Sequence, residues 1–154
     1  MNLQTFIDDL VTGNGASYSL TQGKPTTGVM ASMQGHEYIP ELPSAYIRYK
    51  RELQREMIAN HVLNFIAKNG IEAEQEDVYI GGWWSDNKLY LDLSRRFDSV
   101  QDAAEFGMLN NQKAIYSIDL DREIELPMPQ GHGTETQKRD YIRIISQRIA
   151  EDNK

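Results

Sequence analysis

Along the first residues the apolar side chains fall at Leu3, Phe6, Ile7 and Leu10, three and four apart. That spacing predicts a short amphipathic helix over 3–11 with one apolar face. Thr12-Gly13-Asn14-Gly15 ends it, because Gly and Asn accept the left-handed conformation of a helix stop. Residues 16–27 are polar and broken by Gly23 and Pro25, and read as a mobile arm or as an extended strand laid on another surface. Gly28–Met33 is a short apolar strand, Gln34-Gly35 a turn, and 36–39 extended chain. The period then changes. After Pro40 and Pro43, Ser44 can cap a long helix whose positions Tyr46, Tyr49, Leu53, Met57, Ile58, Val62, Phe65 and Ile66 form one wide stripe. Asn69-Gly70 is its predicted stop.

The clearest pattern follows an acidic linker carrying Glu72, Glu74, Glu76 and Asp77. Val78–Trp84 is β-branched and aromatic, Ser85–Lys88 is turn chemistry, and Leu89–Ser94 alternates strictly. Together they predict a β-hairpin with Leu89, Leu91 and Leu93 on the core face and Tyr90, Asp92 and Ser94 on the other. Gly81-Gly82 inside the first strand suggests a bulge, or a place where another backbone or a ligand comes close. Ser99 caps a helix ending near Asn110-Asn111; 113–118 and 123–126 are two further strands. A linker with Pro127, Pro129, Gly131 and Gly133 leads to a last helix, capped by Thr134 or Thr136 and carrying Tyr141, Ile142, Ile144, Ile145 and Ile149. The expected fold is α+β, a mainly antiparallel sheet with a long helix and a shorter helix packed on it, plus a C-terminal helix. The expected divisions are a short helix and arm over 1–27, an α+β core over 28–126, and a linker and helix over 127–154.

Composition narrows the functional classes. The chain has 154 residues, with 40% hydrophobic and 25% charged, an ordinary globular balance. No apolar run approaches a membrane span, and Asp8 and Asp9 interrupt the first apolar stretch, so neither a transmembrane segment nor a secretory signal is expected. There is no cysteine, hence no disulfide and no thiolate metal site. The net charge of −7 makes the chain a poor phosphate-backbone binder, and nucleic acid is not an expected partner. One stretch is locally positive. Residues 44–69 carry Arg48, Lys50, Arg51, Arg55 and Lys68 against Glu52 and Glu56. A second basic group is Lys138, Arg139, Arg143 and Arg148. Arg48, Lys50, Arg51 and Arg55 are the expected basic patch for an acidic partner, weighed against a plain solvated helix face.

Catalytic chemistry is hard to find. His36, His61 and His132 lie far apart in sequence, with no HExxH, and no metal or cofactor is expected. There is no nucleophile elbow, phosphate loop or dinucleotide fingerprint. Asp92 could serve as an acid or base if buried, and otherwise bonds a neighbouring strand group or Arg95. Trp83 and Trp84 are adjacent, so one points to each face of the strand. The outward one is a candidate binding residue.

Three segments taken together carry a resemblance: GVMASMQGHE at 28–37, YIGGW at 79–83 followed by LYLDLS at 89–94, and NQKAIY at 111–116 followed by Asp119-Leu120. This resembles a group of uncharacterised small proteins of tailed bacteriophages, which carry a glycine-led strand, a GxW…YLDVS hairpin, a helix and an NQ.AIYDL strand. The likeness spans about 28–124. It departs at the doubled tryptophan, at Ser117-Ile118 and in the long basic helix, and the terminal helix lies outside it. The resemblance implies a phage or prophage source, the host-cell cytoplasm and an accessory role. It carries no activity.

The leading expectation is therefore a non-enzymatic phage accessory protein that binds a host or phage macromolecule, either as an inhibitor of a host defence or host enzyme or as a minor virion component. Its expected partner is a protein. The alternative is a small-ligand protein that binds, sequesters or acts on a nucleotide signal. There Trp83 or Trp84 would stack a base beside Tyr90, with Asp92, Asn111 and Gln112 giving hydrogen bonds and Arg95 or Arg96 meeting phosphate. A homodimer through the long and terminal helices is also expected, from their wide apolar faces.

Overall fold

The computed structural model describes residues 2–127 and 134–154. Its elements in chain order are α1 (Leu3–Val11), β1 (Ala16–Tyr18), β2 (Val29–Ser32), a 3-10 turn (Tyr46–Arg48), α2 (Arg51–Ala73), β3 (Val78–Ser85), β4 (Lys88–Phe97), α3 (Val100–Leu109), β5 (Ala114–Ser117), β6 (Arg122–Glu125) and α4 (Glu135–Asp152). The strands form one antiparallel sheet in the order β1-β3-β4-β2-β5-β6. The fold is α+β, with the C-terminal helix present. Contacts group the chain into two units, Met1–Pro25 with Gly35–Leu93, and Thr26–Gln34 with Ser94–Lys154.

In the first unit the β3–β4 hairpin supplies the platform. Its turn places Asp86 and Asn87 both at positive φ (51° and 63°), the geometry that matches the right-handed twist of the flanking strands. Leu89, Leu91, Leu93, Val78 and Ile80 are fully buried, as the alternation predicts. Each such side chain stabilises the fold by roughly 1.5–3 kcal/mol relative to exposure. α1 buries Phe6, Ile7, Leu10 and Val11, and Asn2 caps its start by accepting from the Thr5 N–H at 2.8 Å. α2 turns Gln54, Ile58, Val62, Phe65, Asn69 and Ala73 inward, while Leu53 and Leu63 stay exposed, so its buried stripe is narrower than the sequence implies. Residues 16–18 are strand, pairing Ala16 with Gly82 and Tyr18 with Ile80.

Three local expectations need correction. The long helix starts at Arg51 rather than after Ser44, because Tyr49 is extended (ψ 151°) and separates the 3-10 turn from α2. The helix also runs past Asn69-Gly70. Asn69 leaves helical geometry (φ −115°, ψ 18°), yet its side chain donates to Phe65 O at 3.0 Å and accepts from His36 Nδ1 at 2.9 Å. These bonds hold the kink while the chain continues to Ala73. Finally, Gly81-Gly82 is no bulge against β1, since Ala16, Ser17 and Tyr18 pair with Gly82, Gly81 and Ile80 in unbroken register. The glycines make room for side chains. A Cβ on Gly81 would stand 2.7 Å from Asp92 Oδ1, and one on Gly82 would stand 2.7 Å from the Leu10 side chain.

In the second unit α3 lies against β2 and β5, and α4 packs on α3. The core joins Val29, Ala31, Ala103, Ala104, Met108, Ile115, Ile124, Leu126 and Ile142. Ser99 caps α3 by accepting from the Asp102 N–H at 3.1 Å. Thr134 and Gln137 form a full capping box at the start of α4. Tyr141 and Ile144 of α4 remain exposed. The linker expected around Pro129, Gly131 and Gly133, with His132, lies outside the described residues.

Candidate functional site: a groove at the end of the first helix

α1 ends with carbonyls that no further helical turn can satisfy. Thr12 and Asn14 serve Asp8 O and Asp9 O locally, and two side chains from elsewhere in the first unit reach Leu10 O and Val11 O. The Trp84 indole N–H donates to Leu10 O at 2.8 Å, and Arg51 Nη1 donates to Val11 O at 2.7 Å. Both residues are thereby held at one place. Trp84 reaches it because it shares the face of β3 that carries Ile80 and Gly82. Tyr46, in the 3-10 turn, stacks on Trp84 with ring centroids 5.8 Å apart and planes at 27°. Gln54, buried on α2, donates from Nε2 to Tyr46 O at 2.9 Å and ties that turn to the helix.

Between these elements lies an open groove of about 730 Å³, walled by Trp84, Tyr46, Tyr49, Arg51, Gln54 and Asn87, with Leu42, Pro43 and Ile47 at its margin. Among the described residues, no acidic side chain lines it. Ile47 is 79% exposed. The Tyr46 hydroxyl oxygen is buried without a hydrogen-bond partner among the described residues. Burial raises the Tyr46 pKa above the usual phenol value, and the Arg51 charge partly opposes the rise. The phenol is thus a neutral donor at physiological pH.

The expected binding residues are distributed as follows. Trp83 and Trp84 point to opposite faces, as adjacent strand residues must. Trp83 stacks on Tyr90, centroids 5.4 Å apart and planes at 10°. Asp92 shares that face of the hairpin and is only 5% exposed. Arg95, in the second unit, places its guanidinium 5.8 Å from the Phe106 ring centroid. Asn111 ends α3 at φ 56° and donates from Nδ2 to Gln34 Oε1 at 3.2 Å, while Gln112 Nε2 donates to Asn110 O at 2.9 Å. In the basic patch, Arg55 pairs with Asp8 at 2.7 Å on the surface, worth at most about 1 kcal/mol. Arg51 lines the groove, and Arg48 and Lys50 are exposed beside it in sequence. Trp84 and Arg51 are the two expected residues that the groove brings together. Tyr46, Gln54, Leu42, Ile47 and Asn87 were not expected there. The aromatic run Tyr46-Ile47-Arg48-Tyr49 beside Pro43 was the available signal, hidden by its helix-like spacing.

Among the described residues, which include His36 and His61, no group of three His, Asp or Glu side chains is placed to hold a metal ion. His61 has a buried Nδ1 without a hydrogen-bond partner among the described residues, and burial lowers its pKa below the ordinary value of about 6.5. The unfolded chain therefore binds this proton at higher pH than the folded one. The neutral ring's contribution is complete above the unfolded value and declines as pH falls through the folded one. Wild type should lose more stability than His61→Gln between about pH 7.5 and about pH 5.5, read as urea midpoints. Equal losses would exclude His61 as the titrating group.

A comparison with protein-family models finds no match, nor do comparisons with curated proteins and with solved structures. Among the described residues, no helix is long and apolar enough to cross a membrane.

Proposed function

We propose that the chain is a non-catalytic accessory protein, of the tailed-phage kind its motifs resemble, and that it binds another protein through the groove of the first unit. It would act in the host cytoplasm or as a minor virion component. The observation that carries this reading is the groove margin. Ile47 stands 79% exposed next to an open cleft of about 730 Å³ backed by a stacked Tyr46–Trp84 pair. Trp, Tyr and Arg are the residues enriched in protein-binding hot spots, and an exposed aliphatic side chain beside them adds apolar area for a partner to cover. Among the described residues, the groove's walls offer hydrogen-bond donors and one cation.

Photo-crosslinking tests it. A benzoylphenylalanine at position 47 should capture a discrete protein from bacterial extract. The same probe at position 71, on the equally exposed Ile71 of α2, should not. Identical capture from both positions, or none from position 47, would refute binding through the groove. The alternative nucleotide reading retains Trp84 as a stacking ring in this groove, with Arg51 in place of the expected Arg95 or Arg96 as the cation, and the titrations below separate it from the first.

A further inference from the structure

Four observations bear on what enters the groove. Arg48, Lys50 and Arg51 follow one another closely along the chain, and among the described residues none of them forms an ion pair. That is notable in a chain with 23 acids and 16 bases. Tyr46 lines the groove, and its hydroxyl is closed off from solvent without a hydrogen-bond partner among the described residues. A buried donor without an acceptor is costly, and a ligand oxygen would relieve it. Arg51 spends one N–H on Val11 O, and its guanidinium has further donors in a fork suited to a carboxylate. α2 also starts at Arg51 without a side-chain cap, which adds a positive dipole end to the same place.

Resting on the protein-binding reading above, we infer that the groove receives an acidic polypeptide segment: one Asp or Glu carboxylate on the Arg51 guanidinium and Tyr46 hydroxyl, with a neighbouring apolar side chain laid on Ile47 and Leu42 beside Trp84. Charge complementarity selects the segment. Arg48 and Lys50 extend the positive field past the cleft, so flanking acids in the partner strengthen capture and speed encounter. The aliphatic margin requires the apolar neighbour, since a free acid alone would leave Ile47 in water.

The test uses the full chain. A displayed library of random dodecapeptides is selected on wild type and counter-selected on Ile47→Asp, and the enriched peptides are titrated by fluorescence anisotropy. The expected peptides carry Asp or Glu within a few residues of Leu, Ile, Phe or Trp. Tyr46→Phe removes only an unpaired hydroxyl, so melting should not fall, while affinity should drop about tenfold. Amidation of the peptide acid and Arg51→Gln should each weaken binding at least about tenfold. Affinity should fall as salt rises from about 50 mM to about 500 mM. Enriched peptides without acids would overturn the acidic assignment and leave protein binding through the groove intact. Binding of an oligothymidine or of ATP with the same Tyr46 and Arg51 dependence would overturn it in favour of a nucleotide ligand. Failure of any peptide to distinguish wild type from Ile47→Asp would also overturn it, and crosslinking from position 47 then decides the broader reading separately.

Discussion

Gly28→Ala should lower stability by about 2–6 kcal/mol, a large share of the roughly 5–15 kcal/mol that holds a typical domain folded. Two costs combine. Gly28 sits at φ +99°, where a residue with a Cβ is strained by about 1–3 kcal/mol. The new Cβ would also stand 2.7 Å from Phe97 O and 2.8 Å from Arg96 Nε, and overpacking of that kind costs about 1–3 kcal/mol. Relaxation is restricted. Phe97 O is backbone of the strand paired with β2, and Arg96 is held by bonds from Nε to Thr27 O and from Nη2 to Thr27 Oγ1. Gly28 itself donates to Asp119 Oδ1 at 3.1 Å and accepts from the Ile118 N–H at 2.8 Å, so it cannot swing away without breaking both. Gly70 is the matched control. It lies in α2 with open space around its Cβ position, and Gly70→Ala should stabilise by about 0.4–1 kcal/mol. Urea midpoints measure both. A Gly28→Ala protein as stable as wild type would show that this φ is not obligatory.

The strand preceded by Gly28 was legible in the sequence, as were the hairpin, α1 and the Ser99 cap of α3. Each has a strong local cause: strict alternation in Leu89–Ser94, a three-four apolar spacing in 3–11, a Ser before an apolar run. The groove was not legible, for a physical reason. Tyr46 and Tyr49 continue the helical spacing of Leu53 and Met57, so local pattern places them on α2. What separates them is tertiary: the Gln54 bond to Tyr46 O and the stack on Trp84 favour a 3-10 turn and an extended Tyr49. Likewise, nothing in the sequence indicates that the end of α1 is capped by Arg51 and Trp84, residues 40 and 74 positions away. The doubled tryptophan contributes Trp84 to the groove, but pattern alone left open which of the pair faced it.

Trp84→Ala is the substitution that joins fold to function, and it should affect both. Truncating a fully buried Trp costs about 3–5 kcal/mol; Trp84 is half-buried, so about 2–3 kcal/mol is expected. Part of that comes from the stack on Tyr46 and part from Leu10 O, which loses its only side-chain donor among the described residues. With the ring gone, the Tyr46 turn loses its backing, and groove binding should fall by more than about tenfold. Trp83→Ala is the discriminating partner. Trp83 stacks on Tyr90 on the opposite face of the hairpin, so its loss should leave groove affinity within about twofold of wild type. Crosslinking from position 47 and peptide anisotropy read the binding arm, and urea denaturation reads the stability arm. To separate lost folding from lost contact, both variants are titrated at a temperature where circular dichroism shows each to be folded. If Trp83→Ala abolishes binding while Trp84→Ala preserves it, the site lies on the Tyr90 and Asp92 face of the hairpin instead of at the end of α1.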